Sequence, residues 1–169
     1  MHKIITIDIT TEKKRRMIPY LREHVSFPYS MTAIQELLQR HDCTQLATAQ
    51  KQETDAKHGT FTKHSMAFIV RGEKFLIEFP VIFARSNKGT TLRMDISGRI
   101  IFYKIKVLLT DVEIGWLDFM EAMLPFRIIA LPDGTQVPLV DYMAQHGPEL
   151  AAGTADLLGL PDGIKGRGR

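Results

Sequence analysis

The longest helical pattern in the chain lies at Gly98–Met123. Ile101, Ile105, Leu108 and Val112 recur at the i, i+4, i+7, i+11 spacing of a buried helical stripe, and Ile100 and Val107 widen the apolar sector. Arg99, Tyr103, Lys106 and Thr110 fall on the opposite stripe. Gly115 interrupts the pattern, so two packed helical segments with a kink at the glycine are expected, with Asp95 or Ser97 as the N-terminal cap and Pro125 as the end.

Strand patterns precede this helix. Ile5, Ile7 and Ile9 alternate within Lys3–Ile9. Phe61–Val70 and Lys74–Phe83 are rich in β-branched and aromatic residues, and Arg71-Gly72-Glu73 between them fits a short hairpin loop with glycine at positive φ. Pro80 removes a ladder donor, so the second strand is an edge there or ends there. Phe27-Pro28-Tyr29 reads as a break before a short helix that Ser30 or Thr32 caps, with Ile34, Leu37 and Leu38 inward and an end near His41. Thr44–Ala49 reads as a short strand, Gln50–Thr60 as a polar loop and Ala84–Ser97 as a flexible link. Pro132-Asp133-Gly134 is a turn, and Pro138 opens a last helix. The expected fold is therefore α+β: a small antiparallel sheet, built on the central β-hairpin, packed against the kinked helical pair. One domain spans 1–153, followed by a flexible, basic, glycine-rich tail at 154–169.

Composition changes this picture little. With 44% hydrophobic and 24% charged residues the chain is ordinary globular protein. No apolar run is long enough for a membrane span, and the N-terminus lacks the apolar block of a signal peptide, so a cytoplasmic protein without membrane association is expected. A single cysteine, Cys43, excludes an internal disulfide and a four-cysteine metal site.

Motifs that carry chemistry are sparse. No phosphate-loop or dinucleotide-binding glycine pattern occurs. Only His58 and His64 lie close together among the histidines, six positions apart, too little for a zinc site. Asp111, Glu113, Asp118 and Glu121 gather around Gly115, where paired carboxylates would do acid–base work, but solvated helix-end charges are the plainer reading. No nucleophile signature is present. The expectation is a protein without enzymatic activity, cofactor or metal.

Basic residues carry the remaining signal. The net charge of +3 permits anionic partners without demanding them, so placement matters more. Lys13, Lys14, Arg15 and Arg16 are consecutive. Arg85, Lys88, Arg93, Arg99 and Lys106 occupy the expected link and the outer helix stripe, where Tyr103 stands between Arg99 and Lys106. Cations that neutralise phosphates, with an aromatic ring on which a base can stack, are what a single nucleic-acid strand requires. The plain alternative is an amphipathic helix whose basic stems cover a tyrosine. Lys165, Arg167 and Arg169 add a basic tail.

From Tyr103 to Met143 the order is an apolar-basic helix (KIKVLLTDVEIG), an aromatic-acidic segment with Phe119 and Glu121, LPF at Leu124–Phe126 and LPDGT at Leu131–Thr135. Upstream lie the helix with Ile34–Leu38 and the hairpin. From Ser30 to about Met143 this resembles a family of uncharacterised phage and bacterial proteins. The resemblance implies no activity, and its phage context implies a role in replication, recombination or host interaction. In that family the helix start carries an arginine-aromatic-arginine run, and Arg99-Ile100-Ile101-Phe102-Tyr103-Lys104 departs from it. The functional expectation is a nucleic-acid-binding accessory protein of phage or mobile-element type, with a single-strand preference and homo-oligomerisation left open. The alternative is a protein-interaction module or subunit, such as a host-interaction or anti-defence factor.

Overall fold

The structure, a computed structural model, describes residues 3–17, 20–21 and 24–151. Helices and small sheets alternate along the chain, and the α+β expectation holds. The tail at 154–169, with Lys165, Arg167 and Arg169, lies outside the described residues.

The central hairpin forms the first sheet. Strands β2 (Gln45–Asp55), β3 (Gly59–Val70) and β4 (Glu73–Glu78) pair antiparallel in that order. Arg71 and Gly72 form the β3–β4 turn with φ of 52° and 81°, the double positive φ that lets a two-residue turn match strand twist. β2 continues through the polar stretch expected as a loop and pairs with β3 without a bulge from Gln45↔Ile69 to Asp55↔Gly59. A strand exposed on both faces has no apolar period to betray it.

Pro80 divides the run Lys74–Phe83. Before it the chain belongs to the first sheet, and after it β5 (Val81–Ser86) enters a second one. There β5 pairs in parallel with β1 (Ile4–Asp8) and antiparallel with β6 (Gly89–Leu92). The segment expected as a flexible link is thus a hairpin, and the helix begins earlier than Gly98. A third, two-stranded sheet joins β7 (Ile128–Ala130) and β8 (Gln136–Pro138) around the Pro132-Asp133-Gly134 turn.

Among the described residues, five α-helices and a short 3-10 helix at Leu124–Phe126 complete the fold. α1 (Glu12–Met17) is short. α2 (Phe27–Gln39) is capped by Ser26, with Pro28 in its first turn. The expected break at Pro28 is instead a helix start, because proline has no N–H to lose there and its φ already suits a helix. α3 (Met94–Glu113) has Arg93 at its N-cap without a side-chain cap, so neither Asp95 nor Ser97 plays that role. It ends at Glu113 with Ile114 as C-cap, just before Gly115, whose φ is +75°. The segment beyond the glycine is one turn, α4 (Phe119–Ala122), closed by a capping box between Asp118 and Glu121. α5 (Leu139–Ala151) follows β8.

The core lies between the first sheet and the helices. Met66, Phe68, Val70, Phe75, Ile77 and Phe79 face Ile34 and Leu38 of α2 and Ile101, Ile105 and Leu109 of α3. Leu108 and Val112, expected on the buried stripe, are only partly buried at its flank, Leu109 takes the inner position instead, and Val107 is exposed. Phe61, Val81 and Phe83 form a smaller cluster where the second sheet meets the hairpin. Among the described residues, no helix is long and apolar enough to cross a membrane.

Candidate nucleic-acid interface

The second sheet and the helix that follows its first strand position six of the nine expected basic site residues. β1 and β5 run parallel, with Asp8 opposite Arg85, so both chain segments leave the sheet at the same end. α1 follows β1 directly and β6 follows β5 through a turn containing Lys88. The four consecutive cations of α1 and the pair Arg85 and Lys88 are therefore gathered at one end of one sheet.

Asp8 joins the two groups. Its Oδ2 accepts from Lys14 Nζ and, at 3.3 Å, from Arg85. Its Oδ1 accepts from the Thr10 backbone N–H at 3.0 Å and the Thr10 hydroxyl at 2.8 Å. The Lys14 ammonium foremost, then the two Thr10 donors, hold the Asp8 carboxyl far below the usual carboxylate range. Arg15 Nε donates to the Ile9 carbonyl at 2.9 Å, and the Ile9 N–H donates to the Arg85 carbonyl at 2.9 Å. Arg16 pairs with Glu12 at 3.3 Å. Six cations face two carboxylates here, and Lys13, Arg16, Arg85 and Lys88 are exposed. The end is locally cationic and suited to contact phosphates rather than to read bases.

The other expected site residues lie elsewhere. Arg99 is not on an outer stripe. It is only 8% exposed. Its guanidinium lies 4.8 Å from the Phe102 ring centre and 4.6 Å from that of Tyr103, and donates to the Tyr103 hydroxyl at 2.7 Å. Tyr20 stacks on Tyr103 at 4.6 Å with planes 15° apart. The face expected to hold a base is thus occupied by a tyrosine of the same chain, itself at a φ of 65°. Nothing near Tyr103 in the sequence signals this, because the covering residue is 83 positions away. Arg93 grips Asp95 through Nε at 2.9 Å and Nη2 at 2.7 Å, and Nη2 reaches the Leu21 carbonyl at 3.5 Å. Arg93 and Tyr103 therefore hold the residue 20–21 segment against α3, while Arg99 braces Tyr103. Lys106 remains exposed, 6.0 Å from the Phe102 ring centre.

The acidic group around Gly115 is divided. Asp118 and Glu121 cap α4, and Glu113 lies 3.6 Å from His41. His58 has a role that its place in the sequence does not signal. Its Nδ1 lies 3.0 Å from an Asp55 carboxylate oxygen and its Nε2 lies 3.4 Å from the Thr6 hydroxyl. A carboxylate, imidazole and hydroxyl in that order resemble a proton relay. The ring, however, stacks on Phe83 at 4.2 Å and its side chain is 7% exposed, so the trio fastens the hairpin tip to β1. His64 packs against Phe27 instead. Among the described residues, no group of three or more His, Cys, Asp or Glu side chains is placed to hold a metal.

No family model, curated protein or solved structure matches the chain.

Proposed function

We propose that this chain is a non-enzymatic nucleic-acid-binding accessory protein of phage or mobile-element type, which contacts phosphates through the end of the second sheet. The reading rests on one observation above others: Lys14 and Arg85, from distant segments, meet on a single carboxylate, so two basic segments act as one surface. Lys13, Lys14, Arg15, Arg16, Arg85 and Lys88 form that surface, and Lys106 is a separate, exposed contributor. Arg93, Arg99 and Tyr103 leave the site. With Tyr103 covered, binding runs through the backbone and is independent of sequence.

The test is fluorescence anisotropy with labelled single- and double-stranded oligonucleotides at low and near-physiological salt. Binding should weaken steeply with salt. The triple variant Lys13→Ala, Arg16→Ala, Lys88→Ala avoids the Asp8 contacts. It should weaken binding and flatten the salt slope by about 0.7–0.9 for each phosphate no longer neutralised. Unaltered binding in that variant removes the site, and no binding at low salt removes the function.

A specific feature supports the interaction-module alternative. Ile114 and Trp116 project at the end of α3, with Trp116 76% exposed. An exposed tryptophan beside an exposed isoleucine is a natural protein anchor. Capture of a protein partner that Trp116→Ala abolishes, without any oligonucleotide binding, would favour that reading.

A further inference from the structure

The first sheet has two edges, and they are treated differently. The β4 edge is covered, since Phe75 forms a bridge with Arg127 next to β7 and Arg127 pairs with Glu73 at 2.9 Å. The β2 edge lies at the end of the strand order. It is an eleven-residue strand, in unbroken register with β3, with no proline and no bulge. Its side chains are exposed from Ala47 through Gln52. Proteins ordinarily blunt such an edge by shortening, bulging, covering or charging it, because its free N–H and C=O groups are a template for another strand. Here the only cation on the strand is Lys51, and it sits two residues from Glu53.

That spacing selects an occupant. When β2 pairs antiparallel with β2 of a second copy about a two-fold axis at Gln52, Lys51 lies directly opposite the partner strand's position 53 and Glu53 opposite its position 51. Two ion pairs form by symmetry, and no like charges face each other. Axes at Lys51 or Glu53 would set like charges together, and an axis at Gln50 would set each charge against alanine. Within one strand Lys51 Nζ already lies 3.6 Å from Glu53 Oε1, while Lys63 of β3 holds Oε2. Opposed residues across strands are about 5 Å apart, against about 6.6 Å of rise between neighbours two apart on one strand, so the Lys51 side chain reaches a partner glutamate at least as easily as its own. Lys51 can swing to make it, its side chain being 77% exposed.

We infer that the chain self-associates through its β2 edge, joining two first sheets into one continuous sheet centred on Gln52. This stands independently of nucleic-acid binding, since none of the six cations of the second sheet takes part.

Sedimentation velocity of the full chain over a concentration series reads the association. A dimer is expected at micromolar concentrations. Lys51→Glu, at an exposed site, should weaken association about tenfold or more, because each ion pair becomes a repulsion. Lys74→Glu, an exposed lysine on β4 away from this edge, should leave it unaltered. Cross-linking supplies a second measurement that needs no loss of association. In a Cys43→Ser background, Gln52→Cys stands opposite its own copy and should give a disulfide-linked dimer under mild oxidation, whereas Thr48→Cys, four residues along the same edge, should not. A chain that stays monomeric to about 100 µM, two decades above a micromolar dissociation constant, overturns the inference. So does a dimer indifferent to Lys51→Glu, or cross-linking at residue 48 as fast as at residue 52.

Discussion

Gly98 of α3 packs directly against Ser30 of α2. A methyl group built on Gly98 would stand 2.9 Å from Ser30 Cβ and 3.0 Å from Phe27 Cδ2. Both Gly98 and Ser30 are buried, so neither helix can yield without disturbing the core. Gly98→Ala gains helix propensity but overpacks this crossing, and the overpacking dominates. The variant should lose about 1–3 kcal/mol of stability, measured by urea denaturation. A gain in stability would show that the two helices are free to move apart.

Arg99 should behave as a core residue. Arg99→Ala removes a stacked, hydrogen-bonded guanidinium and leaves Tyr103 and Phe102 without their cover. A loss of about 2–3 kcal/mol is expected, with oligonucleotide affinity per folded molecule unaltered. Thermal unfolding and anisotropy on the same samples separate the two effects. A stable variant with weakened binding would return Arg99 to the nucleic-acid surface.

Asp8 gives the acid dependence a sign. Its carboxyl is held below the ordinary value by Lys14 first and Thr10 next. A folded-state value lower than the unfolded one stabilises the native state above the ordinary carboxylate pKa of about 4, and that contribution fades as pH falls below it. Asp8→Asn lacks this component, so its stability should fall less steeply than the wild type's below about pH 4. Removing the same charge also leaves Lys14 and Arg85 uncompensated, so oligonucleotide binding at neutral pH should tighten by several-fold. Both readings are made on one variant, by denaturation against pH and by anisotropy.

His58 tests how the hairpin tip is held. His58→Ala loses the stack on Phe83 together with the Asp55 and Thr6 contacts, and should cost about 2 kcal/mol. His58→Phe keeps a ring against Phe83 and should recover about half of that loss. Equal losses in the two variants, by thermal unfolding, would assign the whole effect to the polar contacts.

What was legible in the sequence had a local cause. The Phe61–Val70 strand, its Arg71-Gly72 turn and the Ile101–Ile105 stripe each carry a period or a turn residue within a few positions. β2 beyond Ala49 did not, since Gln50, Lys51 and Gln52 are exposed on both faces and show no apolar rhythm. β6 was hidden similarly, its four residues all exposed. The burial of Arg99 depends on Tyr20, and the meeting of Lys14 with Arg85 depends on a parallel pairing. Neither relation leaves a mark near the residues concerned. The candidate surface was therefore half visible: its charges could be counted, but not which of them belong together.

The division of one apolar run at Pro80 has a kinetic consequence. Phe79 N–H is bonded to the His64 carbonyl and Val81 N–H to the Lys3 carbonyl, so a single corner is tied to a near neighbour on one side and to the chain's beginning on the other. The hairpin half can close early, because its contacts span few residues. The β1–β5 half must wait for ends 77 residues apart, Asp8 and Arg85, to find each other. The cationic end of the molecule is thus complete only once β1 has docked on β5. Until the N-terminal strand has docked, Lys13–Arg16 lie on one segment and Arg85 and Lys88 on another, and the six charges are not yet one patch.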